Sequence, residues 1–166
     1  MPPLPIDGHI LLITAGKIGC AYALSLPTGW WSEKQGHAVG IRTFPIVAMA
    51  SCGYLLTLSN ITGSEGLSAN SRVLQGLVTG IGFVGGGAIV KEGLSVRGTA
   101  TAASIWNMGA IGAAIAFGRY EVAIVLALLN LLTLEGLVPL KKKLDREEEK
   151  HEAEKREDSP GVPRHD

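Results

Sequence analysis

Charge is scarce in the first 140 residues of this 166-residue chain. They hold 7 of its 15 Lys and Arg residues and 6 of its 15 Asp and Glu residues. The remaining 8 and 9 crowd into residues 141–166. A water-soluble domain is about a quarter charged, so the scarcity argues against an ordinary solvated surface and for a membrane domain with a solvated tail. The tail, KKKLDREEEKHEAEKREDSPGVPRHD, reads as a helical continuation that frays at Ser159-Pro160-Gly161; several of its i,i+4 pairs carry like charges. A net charge of zero gives no reason to expect a nucleic-acid partner. Cysteine is also scarce. Cys20 and Cys52 both lie in apolar runs and suit packing rather than a disulfide framework or a metal site. The N-terminus, MPPLPIDGHI, lacks a basic segment and a clear cleavage site. No cleaved signal peptide is expected, and the first apolar run is expected to stay as a span.

Long apolar runs are present. About 20 mostly apolar residues cross a bilayer as a helix, and five windows qualify: roughly 9–29, 43–62, 73–90, 98–118 and 120–140. Short connections at about 30–42, 63–72, 91–97 and 118–121 imply antiparallel neighbours. Pro27, Pro45 and Pro139 are expected near helix ends, where a missing N–H costs least. The expected fold is an all-α integral membrane protein. Residues 1–140 form a compact bundle of about five transmembrane helices, and residues 141–166 form a charged cytoplasmic tail, partly helical or disordered. Lys34, Arg42, Lys91, Arg97 and Lys141 to Lys143 share one side, with Arg72 and Arg119 on the other. The excess puts the C-terminus in the cytoplasm and the N-terminus outside, with Trp30 and Trp31 at the inner interface.

Gly80-Ile81-Gly82-Phe83-Val84-Gly85 matches G-x-G-x-x-G, but no strand precedes it and position 100 is Ala where a dinucleotide fold needs an acid. No Gly-Lys-Ser/Thr follows, so no nucleotide is expected. Gly76/Gly80 and Gly82/Gly86 read instead as small-xxx-small pairs for helix packing, and Gly109/Ala113 and Gly112/Ala116 do the same on the fourth span. Gly85-Gly86-Gly87 leaves open a loosened backbone lining a cavity. Lys17 is the one charge well inside a span and needs a partner, a wet cavity or an interface to reach. Glu135 is nearer an end, and Asn107 and Asn130 suit bonds between helices. The loop from Lys91 to Gly98 is charged, with Gly93 suited to a turn, and the hydroxyls of Thr99, Thr101 and Ser104 open the next helix, whose N-terminus can hold an anion. Arg97 and Glu92 are candidates to pair with Arg42 or Glu33. His151-Glu152-Ala153-Glu154-Lys155 lacks the second histidine of a zinc protease motif.

The segment GIGFVGGGAIVKEGLSVRGTATAASIW, Gly80 to Trp106, closely resembles the hallmark of the MgtC/SapB membrane protein family. GIRTFPIVAMASCGY, Gly40 to Tyr54, resembles that family's second-span opening, and Lys17 lies where relatives often carry a basic residue. The resemblance covers roughly residues 10–140. One stretch departs from it. The family usually has Glu-Arg-Glu after the first span, whereas Gly29-Trp30-Trp31-Ser32-Glu33 keeps only the last acid. Some relatives carry a folded C-terminal cytoplasmic domain where this chain has its tail.

The resemblance implies a multi-pass protein of the bacterial inner membrane, linked to Mg²⁺ or related ion homeostasis, as a transporter or as a non-transporting regulator. The regulator would dock on another membrane complex such as an ATP synthase. The expected partners are the lipid bilayer together with a membrane protein or a second copy. A hard cation takes oxygen ligands, which makes Glu33 and Glu92 the weak metal candidates within a polar cluster of Lys17, Glu33, Arg42, Lys91, Glu92, Arg97, Thr99 and Thr101. No nucleophile–base pair or metal cluster is visible, so neither an enzyme nor a resident cofactor is expected; Mg²⁺ enters as ligand or substrate.

Overall fold

A computed structural model describes residues 7–35, 39–58, 63–92 and 95–137, with the side chains of 63–67, 92 and 95 outside that description. Among the described residues there are five α-helices: α1 Gly8–Lys34, α2 Thr43–Leu56, α3 Gly63–Gly87, α4 Thr99–Ala116 and α5 Tyr120–Gly136. A short antiparallel ladder, β1 Val90–Glu92 and β2 Ser95–Arg97, joins α3 to α4. The tail from Lys141, with Pro139 and Gly93, lies outside the described residues.

Three boundaries differ from the sequence expectation. Pro27 is not at a helix end, because α1 runs through it to Lys34. A proline is tolerated inside a bilayer helix where neighbouring helices pack on it and local adjustments accommodate the freed carbonyl. α3 starts at Gly63, in what reads as a loop. No proline interrupts the polar stretch that follows, and Ser, Glu, Asn and Arg carry only modest helix penalties. α2 stops at Leu56, short of residue 62.

The core forms around α4. Phe44, Ala48, Cys52 and Leu55 recur at helical spacing on α2 and are buried, as are Ile105, Met108, Ile111 and Ile115 on α4. The two helices touch at Gly112, where an added Cβ would collide with the Ala48 carbonyl and sit against Ser51. On its other faces α4 meets α3, where Gly109 receives Ile81, and α5, which buries Ala123 and Ala127. The outside is apolar: Leu12, Phe83, Trp106, Leu128 and Leu129 are all exposed. Burial of such side chains drives folding in water, so this surface suits hydrocarbon. Among the described residues one helix, Gly8–Lys34, is long and apolar enough to cross a bilayer by length and composition; Thr43–Leu56 is a shorter apolar helix.

By its internal contacts the chain divides into residues 1–131 and 132–166. The described part of the second unit is the end of α5 and Leu137, with Glu135 exposed.

Candidate functional site

The antiparallel pair α1 and α4 sets the scale. The Lys17 ammonium donates to the carbonyl of Ala116, the last residue of α4, at 2.9 Å. About 15 residues further along each helix in opposite directions, ~22 Å at the α-helical rise, lie Ser32 on α1 and Thr101 on α4. The two ends of the bundle are therefore distinct, and the expected polar cluster splits between them. Lys17 sits at one end. Glu33, Arg42, Lys91, Arg97, Thr99 and Thr101 belong to the other.

At that second end the α1 terminus is fastened to the segment entering α2. Ser32 Oγ donates to the Val39 carbonyl at 2.7 Å, and Glu33 accepts the Ile41 N–H at 3.0 Å. The two chains meet closely because residue 29 is glycine: a Cβ there would lie 2.9 Å from the Ile41 Cα. Ser32 is buried, so the position where the resemblance anticipates a charge holds a small hydroxyl that bonds to the backbone. The Lys34 ammonium lies 5.3 Å from the centre of the Trp30 ring, a cation–π distance.

The remaining candidates are spread along the surface. Arg42 is exposed at the N-cap of α2. Lys91 and Arg97 are exposed on the two strands, opposite Val96 and Val90. Glu92 pairs with Ser95 through the backbone, and its side chain lies outside the described residues. The anticipated pairing of Arg97 with Glu33 is not made: among the described residues the one ion pair joins Arg119 to Glu121 at the opposite end. Glu33 instead satisfies a loop amide. Among the described residues no three His, Cys, Asp or Glu side chains gather as a metal site requires.

Gly98 explains the Val-Arg-Gly element of the motif. It takes φ 85°, and a Cβ there would collide with the Ala88 carbonyl. Only glycine turns the hairpin into α4 without strain. Thr99 is exposed just after it, while Thr101 is buried.

The anticipated packing glycines stand open among the described residues. An added Cβ at Gly76, Gly80, Gly82 or Gly86 would meet nothing within 4 Å. Among the described residues the close approaches fall at Gly29, Gly40, Gly98, Gly109 and Gly112, and at Gly85, where a Cβ would lie 3.1 Å from the Ala102 carbonyl. The reason is helix phase: Ile81 and Gly85 point at α4, which turns Gly80, Gly82 and Gly86 away.

The chain buries a row of hydroxyls that the sequence reading passed over in part. Ser25, Thr28 and Ser32 on α1, Ser51 on α2, and Thr101 and Ser104 on α4 are buried among apolar side chains. Ser104 Oγ donates to Asn130 Oδ1 at 3.2 Å, and Asn107 Nδ2 donates to the Leu126 carbonyl at 3.2 Å. The buried Thr28 Oγ1 and Asn130 Nδ2 have no hydrogen-bond partner among the described residues. Spacings of three and four residues on one face were the available signal.

Comparison with known proteins agrees with these motifs. The model of the MgtC family matches residues 18–143. Protein SrpB of Synechococcus elongatus is 32% identical over 121 residues, covering 66% of this chain and 66% of that protein. Protein MgtC of Brucella abortus is 35% identical over 99 residues, covering 60% of this chain and 40% of the relative. YhiD of Escherichia coli K12, whose name provisionally describes it as a magnesium transporter, is 34% identical over 113 residues, 64% of this chain and 52% of the relative. The chain thus spans between two fifths and two thirds of the length of these relatives. No solved structure matches it.

Proposed function

The chain belongs to the MgtC family, and from that premise we propose that it is a five-span protein of the bacterial inner membrane that serves Mg²⁺ or related ion homeostasis as a transporter. The observation that carries the reading is the row of buried hydroxyls on α1 and α4, of which Thr28 Oγ1, like the nearby Asn130 Nδ2 on α5, has no partner among the described residues. Polar groups inside a membrane bundle are costly and mark the paths of polar cargo. Mg²⁺ sheds its waters reluctantly, so neutral hydroxyls would meet the hydrated ion through its water shell. The exposed cations Lys34, Arg42, Lys91 and Arg97 would hold that end in the cytoplasm by the positive-inside bias.

Proteoliposomes carrying the full chain and an entrapped Mg²⁺-sensitive dye test this reading. A Mg²⁺ gradient should produce a dye response above that of empty vesicles, and Thr28→Val with Ser104→Ala should diminish it.

A second reading is favoured by the two open glycine pairs Gly76/Gly80 and Gly82/Gly86, which no described residue covers. Small-residue faces associate helices in lipid, as a non-transporting regulator docked on another membrane complex requires. Absence of Mg²⁺ flux, with recovery of a defined partner by crosslinking in native membranes, would favour it.

A further inference from the structure

An apolar groove of about 640 Å³ runs between α2 and α3. Ile46, Val47 and Val84 contribute to its wall, and Gly76 and Gly80 lie open along its floor. Arg72 and Tyr54 stand at one end, Ser51 is its other polar residue, and among the described residues no carboxylate lines it. Arg72 is exposed and joins no ion pair among the described residues.

The depth of Arg72 in the bundle follows from α4. Ile81 packs on Gly109, and two turns away in opposite directions Leu74, seven residues before Ile81, and Phe117, eight after Gly109, line one small cavity near the α4 terminus. Arg72 therefore lies at the level of the α4 terminus, where Lys17 also sits. From Arg72 to Val84 the groove extends for ~18 Å along α3. One leaflet of a bilayer's hydrocarbon core is ~15 Å deep. A guanidinium with a phenol at the boundary, and a one-leaflet apolar channel below, match an anionic headgroup above an acyl chain.

We infer that this groove binds one anionic phospholipid, its phosphate on Arg72 and one acyl chain over Gly76 and Gly80. Arginine takes phosphate in a charge-assisted, bidentate geometry, and tyrosine suits the interface. The two glycines supply width: any larger side chain would project into the space the chain occupies. The inference rests on the membrane reading proposed above.

The test is native mass spectrometry of the full chain released from detergent micelles, titrated with phosphatidylglycerol and, in parallel, phosphatidylcholine. One phosphatidylglycerol should be retained, and Arg72→Gln should weaken it about tenfold, the loss expected for a hydrogen bond to a charged group. Gly80→Leu should weaken both lipids, since its side chain enters the groove without meeting protein atoms. Arg119→Gln, a boundary cation away from the groove, should leave retention unchanged. Equal losses in Arg72→Gln and Arg119→Gln would overturn the site, as would equal retention of the two lipids by the unaltered chain. A Gly80→Leu variant that changes oligomeric state but not lipid occupancy would assign the groove to a second copy. Circular dichroism checks that each variant keeps its helix content, and Arg72→Gln alone decides the matter if Gly80→Leu does not fold. A chain that purifies from the soluble fraction without detergent overturns the membrane reading itself; unchanged lipid retention in a membrane-extracted chain overturns the groove alone.

Discussion

Lys17 closes the end of α4: its ammonium donates to the carbonyl of Ala116, 99 residues away in sequence, at 2.9 Å. The last carbonyls of a helix lack intrahelical partners and carry partial negative charge. The one charge well inside a span thus finds its partner at the end of a neighbouring helix, whose last carbonyl it caps. Lys17→Met should lower stability by about 1–3 kcal/mol, the cost of leaving a buried acceptor unpaired. That is a fall of several degrees in the unfolding midpoint measured in detergent. Lys17→Arg should recover most of it. Unchanged stability in Lys17→Met would return the residue to the list of functional candidates.

The glycines of this chain divide into two classes, and substitution should separate them. Gly112→Ala drives a methyl into the Ala48 carbonyl and should cost about 1–3 kcal/mol as overpacking, or prevent folding. Gly86→Ala meets nothing within 4 Å and should be neutral or stabilising by up to ~1 kcal/mol, because alanine is the better helix former. Thermal unfolding of the two purified variants decides it; similar behaviour would contradict the helix phases described.

Gly98→Ala should cost at least ~1–2 kcal/mol for a left-handed residue with a Cβ, before its collision with the Ala88 carbonyl. The expected result is a lower unfolding midpoint with the loss starting at the β-hairpin, seen as faster hydrogen exchange at Lys91 and Val96 than in the unaltered chain.

Glu33 accepts one backbone N–H, which a glutamine oxygen also does. Glu33→Gln should therefore keep stability within about 0.5 kcal/mol, whereas Glu33→Ala loses the bond at a cost of about 1 kcal/mol or more. If Glu33 serves Mg²⁺ through its charge, Glu33→Gln keeps its midpoint but loses flux or growth at low Mg²⁺. The paired measurement separates the two roles.

The two ends of the bundle are expected on opposite faces of the membrane. In a chain whose Cys20 and Cys52 are replaced by alanine, Gln35→Cys should react with a membrane-impermeant thiol reagent only after cells are opened. Arg119→Cys should react in intact spheroplasts. The reverse pattern would invert the proposed topology.

The helices were legible because each contains an apolar run bounded by glycine or polar residues. Their boundaries were less so. Pro27 reads as a terminus by local rules, yet α1 continues past it, and such exceptions depend on neighbouring helices that a single sequence does not display. The glycine motif was legible as family and as helix, but not as packing face. Gly80 and Gly85 differ by five residues, about 140° out of phase, and only the position of Ile81 against Gly109 fixes which side looks inward. Glu33 and Lys17 were legible as polar, whereas their partners, the Ile41 amide and the Ala116 carbonyl, are backbone groups with no sequence signature. The buried hydroxyls of α1 had a readable three-and-four spacing but no charge to draw notice.

At 27 residues α1 is longer than every other described helix. At the α-helical rise it measures ~40 Å, against ~30 Å for the hydrocarbon slab and ~27 Å for the 18-residue α4 beside it. Lys17 ties it to the α4 terminus, so the surplus falls on its first nine residues, where Ile10, Leu11, Leu12 and Ile13 are exposed. Apolar length beyond the slab is accommodated by leaning the helix or thickening the lipid around it. The protein is thereby mechanically coupled to membrane thickness at one edge, and thinner bilayers should strain α1 before they disturb the rest of the bundle.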